Sequence, residues 1–410
     1  MKGLVAPAGV VGTEHPCLPG RRMTPSAPRN LLTVKIVPVV SRRDFRRFVD
    51  LPWQIYDRSR YPQWVPPLRS MVREALDTKR NPFYRQADIQ LFLAERGGRA
   101  VGRIAAIENR AHNRFHQDSI GFFGFLELAE DQEAADALIE AASGWLANRG
   151  LTALQGPMSP STNHECGLLV SGFEHHPMIM TPWNPPYYEE MLEQAGLAPV
   201  KDLLGYLLPL GNGFALPERI ERMAERTSAK LGLTFRNADM SRYKSEVALC
   251  WEIYNDAWEK NWGFVPVTWE EFEFASRGLK QILRPDFAFI AEVDGVPAGF
   301  MLIAADLNRI LRHVPSGRLS PIAMARIVFG IGKVKRGRIL ALGVKARYRT
   351  RGILPLFFQE AARRGKAIDA IEAEASWILD DNEPMRAVME AMGSDVYRRW
   401  RVYQMPVPIG

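Results

Sequence analysis

The chain has 410 residues, 47% hydrophobic and 24% charged, with 53 basic against 46 acidic side chains and a formal net charge of +7. This composition excludes a disordered or fibrous protein and fits a soluble globular chain of two or three domains. Cys17, Cys166 and Cys250 make neither a disulfide framework nor a zinc spacing, and no apolar run reaches the ~20 residues of a membrane span.

A reducing, cytoplasmic compartment is therefore expected. The positive charge suits an anionic partner: a phosphorylated co-substrate, an acidic membrane surface or nucleic acid. Residues 1–33 are rich in Pro, Gly and Arg and are expected to form a disordered tail.

From there the chain reads as two copies of one pattern. "WQIYDRSRYPQWVP" at 53–66 echoes "WEIYNDAWEKNWGFVP" at 251–266, and "FLAERGGRAVG" at 92–102 echoes "FIAEVDGVPAG" at 289–299. Glu193, Gly196, Tyr206 and Pro209 return as Glu390, Gly393, Tyr403 and Pro406 at the same offset as the second block. Each copy opens with a helical region. A hairpin follows, turning at Gly97-Gly98 or at Asp294-Gly295. Then come a strand (119–128 or 338–344), a helix (131–150 or 354–367), a strand (152–158 or 370–376), a short helix ending at Gly196 or Gly393, and a last strand pair near Tyr206 or Tyr403. The pattern predicts a mixed α/β fold with one domain at 34–210, a linker at 211–217 and a second domain at 218–410.

The strand-to-helix turn "VKARYRTRGILP" at 344–355 is the first candidate for chemistry. Backbone N–H groups at a helix start and long arginine side chains suit a phosphate, and a solvated basic corner is the plain alternative. The matching stretch of the first copy, "FLELAEDQE" at 125–133, is acidic. The turn resembles the pyrophosphate loop of the GCN5-related N-acetyltransferase (GNAT) superfamily, whose pattern is Arg/Gln-x-x-Gly-x-Gly/Ala. Here "RTRGIL" supplies Arg349 and Gly352, and Leu354 departs from the small residue expected last.

Blocks such as "NPFYRQADIQLFLAE", "NHECGLLVSGF" and "PMIMTPWNPPYYEEMLEQAGL" extend the resemblance over about residues 34–409, to a bacterial tandem-GNAT group that includes ceramide synthases. The resemblance implies an α/β fold of two tandem GNAT-like domains and an acyl-CoA-dependent N-acyltransferase acting on a long-chain amine such as 3-ketosphinganine. It implies no metal. It assigns acyl-CoA to Leu342, Gly343 and Val344 on the splayed strand, to Arg349, Thr350, Arg351, Gly352 and Ile353 on the loop, and to Asn382. The acidic first copy is then the amine side.

The cluster "SPSTNHECGLLVSG" at 159–172 offers His164 as a base, Glu165 as its orienting charge, and Asn163 and Cys166 as substrate contacts, with a hydrogen-bonded loop brace as the rival reading. "WNPPYYEEM" at 183–191 adds Tyr187 or Tyr188 as a general acid and Asn184 as a substrate contact. A Tyr from the first copy must then reach across the interface. The pair in "HNRFH" reads as surface.

From Leu307 to Gln359 the chain has no Asp or Glu, and residues 307–338 mix arginine with large apolar side chains. This reads as peripheral contact with an anionic membrane on the inner face, as an acyl-chain tunnel, or as a basic loop with buried anchors. No nucleic-acid motif accompanies it. Aminoacyl transfer of the cell-wall branching type and a non-catalytic acyl-CoA- or lipid-binding protein are the rival functions.

Overall fold

Among the described residues, fifteen strands carry the architecture. The first copy contributes β1 (Lys35–Pro38), β2 (Ala87–Arg96), β3 (Arg99–Asn109), β4 (Ile120–Leu128), β5 (Ala153–Gly156), β6 (Met158–Ser159), β7 (Glu165–Cys166), β8 (Leu168–Ser171) and β9 (Ala198–Pro209). The second contributes β10 (Leu233–Asn237), β11 (Leu283–Val293), β12 (Val296–Ala305), β13 (Arg336–Val344), β14 (Glu372–Leu379) and β15 (Val396–Pro406). The computed structural model describes residues 33–210, 217–280 and 283–408. The tail expected at 1–33 and the linker expected at 211–217 lie outside the described residues, apart from Thr33 and Pro217. Residues from Val34 onward form one compact unit.

One sheet runs through both halves in the order β1-β2-β3-β4-β5-β15-β9-β14-β13-β12-β11-β10. The order reads the same from either end, as a duplicated fold requires. The hairpins β2–β3 and β11–β12 turn where the sequence places them. The only parallel pairs among the described strands are β4–β5 and β13–β14, each bridged by a helix, Gln132–Ala147 or Leu354–Lys366.

The last strands depart from expectation. In place of a strand pair closing each copy, one long strand ends each copy and pairs with the other. β9 lies between β15 and β14, and β15 lies between β5 and β9. Both strands bury large side chains, including Tyr206, Trp400, Val402 and Tyr403. Exchange places them at the sheet centre, where backbone groups on both edges are paired.

Packing is uneven between the halves. In the first half both sheet faces are filled, by two clusters of 22 buried residues each. In the second, a cluster of 24 residues fills the face under the helix Leu354–Lys366. On the opposite face the core under the sheet is a small cluster, Ile253, Ile290 and Phe300. That face is where a cavity opens.

Candidate active site

β13 and β14 run in register only from Arg336↔Glu372 to Ile339↔Ala375. Beyond that point β14 continues beside β9 alone, and β13 continues beside β12 alone. The two strands splay into a V. The β12–β13 register skips Leu340, so a bulge lies where the splay begins. Lys345 N donates to Ala298 O at 2.9 Å. Antiparallel ladder bonds alternate, so Ala341 and Gly343 also face β12, and Leu342 and Val344 turn their N–H and C=O groups into the V. Gly343 instead packs at its Cα against Trp258.

The apex holds buried charge. Arg338 Nε lies 3.4 Å from Glu374 Oε1 and 2.9 Å from Ser376 Oγ, and its NH1 donates to the carbonyls of Ile179 and Met180 at 3.0 Å each. Glu374 accepts from Ser376 Oγ at 2.6 Å and from the Tyr397 hydroxyl. The guanidinium carbon sits 4.6 Å from the Trp377 ring centre. Burial pulls the Arg338 pKa down and Glu374 opposes that pull.

At the open end of β13 the loop runs through the short turn Ala346–Arg351 to Gly352, which is left-handed, and enters the helix Leu354–Lys366. That helix start has no side-chain cap and no acid in its first turn. Arg347 and Arg351 flank the buried Tyr348 ring and pair with no carboxylate among the described residues. Arg349 is committed: NH2 donates to Asp256 O at 2.5 Å and lies 3.6 Å from Asp256 Oδ1, and Nε donates to Val344 O at 3.3 Å.

The equivalent V of the first half is closed by the protein itself. β4 and β5 pair from Ile120↔Ala153 to Phe122↔Gln155 and then part. Phe125 N donates to Ser159 Oγ at 2.9 Å and Leu128 N to Tyr188 Oη at 2.6 Å, while Tyr187 Oη donates to Leu128 O at 2.7 Å. The Met158 backbone presses so near Gly124 that any Cβ there would meet Met158 O at 1.7 Å. Asp131 caps the following helix on Ala134 N at 3.2 Å and pairs with Arg96 at 2.8 Å. Carboxylate fills the place that a bound anion would take.

A cavity of about 810 Å³ lies on the thinly packed face of the second half, and residues of both halves line it. Leu342, Val344, Arg349, Thr350 and Asn382 are on its wall, with Arg338, Ser376 and Trp377 at its base. Most of the remaining lining is apolar, including Phe264, Phe272, Leu279, Phe300 and Leu302. Trp377 Nε1 is buried there without a hydrogen-bond partner.

The first half reaches this cavity through the loop 161–166. Thr162 Oγ1 donates to Gly263 O at 2.7 Å, and Asn163 accepts from Tyr254 Oη at 2.9 Å. These bonds clamp the loop to the second half. His164 Nδ1 lies 2.9 Å from Ser161 Oγ, and its Nε2 has no protein partner among the described residues. Burial pushes the His164 pKa down to about 4, so the imidazole is neutral at pH 7. Cys166 also lines the cavity, and burial pushes its thiol up to about 12, which keeps it protonated.

Glu165 does not line this cavity. The residue is solvent-exposed. Desolvation by neighbouring protein atoms nonetheless holds its carboxyl above the ordinary range, against the pull of Arg338 and with the help of Glu127.

The structure thus gathers Asn163, His164 and Cys166 from one half with Leu342, Val344, Arg349, Thr350 and Asn382 from the other. Arg351 and Gly352 sit on the loop, Ile353 is buried beneath it, and Asn382 also caps the helix Glu383–Ala391. Tyr187 and Tyr188 are not brought to this cavity. Tyr188 hydrogen-bonds Glu127 at 3.2 Å, and both hydroxyls are held on Leu128 inside the first half. Asn184 is a buried brace on Leu169, accepting at 2.7 Å and donating at 3.0 Å. Sequence reasoning missed Arg338, Glu374, Ser376 and Trp377. Their signal was charge within two largely apolar stretches, Arg338 in "RILALG" and Glu372 and Glu374 in "EAEASWIL". Tyr56 is core, but its counterpart Tyr254 lies on the cavity wall.

No protein-family model matches the chain. It is 34% identical over 378 residues to the bacterial ceramide synthase of Caulobacter vibrioides, covering 90% of this chain and 97% of that protein. The chain belongs to the bacterial ceramide synthase family. It is also 31% identical over 376 residues to the protein YghO of Escherichia coli, covering 90% and 94% of the two chains. In fold it is similar to a tandem GNAT protein from the clavulanic acid biosynthesis pathway, with a TM-score of 0.52, 14% identity and coverage of 92% and 99%. A GNAT protein from Sphaerobacter thermophilus gives a TM-score of 0.50 at 14% identity, with coverage of 92% and 96%. The fold is tandem GNAT, and this bacterial ceramide synthase family member is an N-acyltransferase.

Proposed function

We propose that the protein transfers a long-chain acyl group from acyl-CoA to the amine of a sphingoid base such as 3-ketosphinganine. The observation that carries this reading is the open V of the second half, which runs into a mostly apolar cavity of about 810 Å³ shared by both halves. Its size lies within the about 300–1,000 Å³ of small-molecule sites, and its lining suits an alkyl chain. The name of the Caulobacter vibrioides relative points to the same product class.

Acyl-CoA fits the second half on three counts. The helix start at Leu354 is uncapped and free of acid, Arg347 and Arg351 pair with no carboxylate among the described residues, and Leu342 and the N–H of Val344 offer free backbone groups along the V. When bound, acyl-CoA supplies the acyl group as a thioester. The first half, whose own V is closed, is the amine side, and it presents Asn163, His164 and Cys166.

The chemistry asked of the chain is modest. The amine nitrogen attacks the thioester carbonyl carbon, the C–S bond breaks, and sulfur leaves as thiolate to take up a proton from solvent. In this reading the backbone N–H groups of Leu342 and Val344 donate to the carbonyl oxygen as it gains charge; one such donor contributes about 3–4 kcal/mol. His164, neutral at pH 7, takes the proton that the attacking amine gives up. The protonated Cys166 thiol has no nucleophilic part.

Thiol release tests the reading. Palmitoyl-CoA mixed with 3-ketosphinganine should free CoA and give one amide per thiol, and acetyl-CoA or aminoacyl-tRNA should not replace the donor. Binding of palmitoyl-CoA without transfer to any long-chain base would favour a non-catalytic acyl-CoA-binding protein.

A further inference from the structure

Between β12 and β13 the chain leaves the sheet through the helices Asn308–Leu311 and Pro321–Gly330. The second helix packs mainly on the first and on the turn that follows it. Its inner side is Ala323 and Ile327, and Gly330 rests on Ile310. Its outer side is apolar and bare. Phe329 is 75% exposed, Ile322 67% and Val328 58%, with Leu319 and Met324 beside them. Of the thirteen large apolar side chains exposed among the described residues, these five fall within eleven consecutive positions. Isolated exposed apolar residues are ordinary, but a cluster of this kind is not.

The surroundings are positive. Arg309, Arg312, Arg318, Arg326 and Lys333 pair with no carboxylate among the described residues, and the chain holds no acid from Leu307 to Gln359. Arg326 NH1 donates to His313 O at 2.5 Å, which ties the helix to the basic turn before it. Burial lowers the His313 pKa, and Arg312, Arg326, Arg58 and Arg309 lower it further. The cluster that anchors the helix from below, through Ile327 and Ile331, includes Met180, Leu283 and Leu340. Those three residues also line the cavity.

We infer that the outer face of the helix Pro321–Gly330 docks into the surface of an anionic lipid bilayer, with Ile322, Val328 and Phe329 entering the acyl boundary and the surrounding arginines meeting lipid phosphate. A second protein copy would bring the same positive charge to the face, so charge complementarity selects the anionic surface. The inference rests on the proposed lipid amine for its purpose, since such a substrate partitions into bilayers. It rests on the surface alone for its evidence.

The test uses the full chain and sucrose-loaded vesicles of phosphatidylcholine, with and without equimolar phosphatidylglycerol. The wild type should sediment with the anionic vesicles and release in high salt. The double variant Ile322→Ser/Phe329→Ser should lose about tenfold or more in partitioning, and Arg318→Glu/Lys333→Glu about tenfold, while both keep the wild-type melting temperature. Equal partitioning to neutral vesicles, or unchanged partitioning of the Ser variant, would overturn the inference. So would a wild-type dimer in light scattering that the Ser variant dissolves, which would assign the face to a second copy. Vesicle binding does not depend on turnover, so a failure of the acyl-transfer reading would register separately.

Discussion

Arg338 and Glu374 are registered partners on β13 and β14, and their 3.4 Å ion pair is buried at the point where the two strands part. It is the last cross-strand side-chain pair but one before the V opens. Losing one member leaves the other charge enclosed, which costs about 3–5 kcal/mol. Glu374→Gln should therefore lower the unfolding free energy by about that amount in urea titration. A loss below about 1 kcal/mol would show that the pair does not hold the apex.

His164 is assigned the amine proton. His164→Ala should lower kcat about 100-fold or more, with the KM for acyl-CoA little changed, because the imidazole faces the amine side. Steady-state kinetics on long-chain base decides this. A change in the acyl-CoA KM alone would place His164 in donor binding instead.

The same residue gives a pH signature in stability. Its folded pKa of about 4 lies below the ordinary 6.5, so the unfolded chain binds the extra proton between these values. Stability should fall as pH drops from about 6.5 to about 4, by up to ~3 kcal/mol from this group. His164→Gln should flatten that part of the profile in denaturant titrations at stepped pH.

On the loop, Arg351 lies over the Tyr348 ring and pairs with no carboxylate among the described residues, whereas Arg349 is tied to Asp256 and Val344. Arg351→Ala should raise the KM for acyl-CoA about five- to tenfold by loss of a phosphate contact. Arg349→Ala should raise it too, by loosening the loop, and should also lower the melting temperature. An unchanged KM in both would remove the loop from the acyl-CoA site.

Tyr188 separates the halves. Its hydroxyl is bonded to Leu128 N and Glu127 within the closed V. Tyr188→Phe should cost about 1–3 kcal/mol of stability, by leaving buried groups unpaired, with the acyl-CoA KM unchanged.

Much of this arrangement was legible in the sequence because duplication supplied an internal control. The acids at 130–133 against the arginines at 347–351 distinguished the two helix starts, and Asp131 and Arg351 occupy those contrasting places. The exchange of β9 and β15 was not legible, since either strand pairs equally well within its own copy by pattern alone. Tyr187 and Tyr188 suggested a general acid by residue type. Only the fold shows their hydroxyls turned to Leu128. Arg338 and Glu374 escaped because each looks like a stray charge until register brings them together.

Hydrogen exchange of the backbone amides with and without CoA tests the central claim most directly: the acyl donor occupies the V of the second half alone. The account predicts slowed exchange at Leu342, Val344 and Arg351 to Leu354, and none at Phe125 or Leu128. Protection at Phe125 and Leu128 with Leu342 and Val344 unchanged would contradict it.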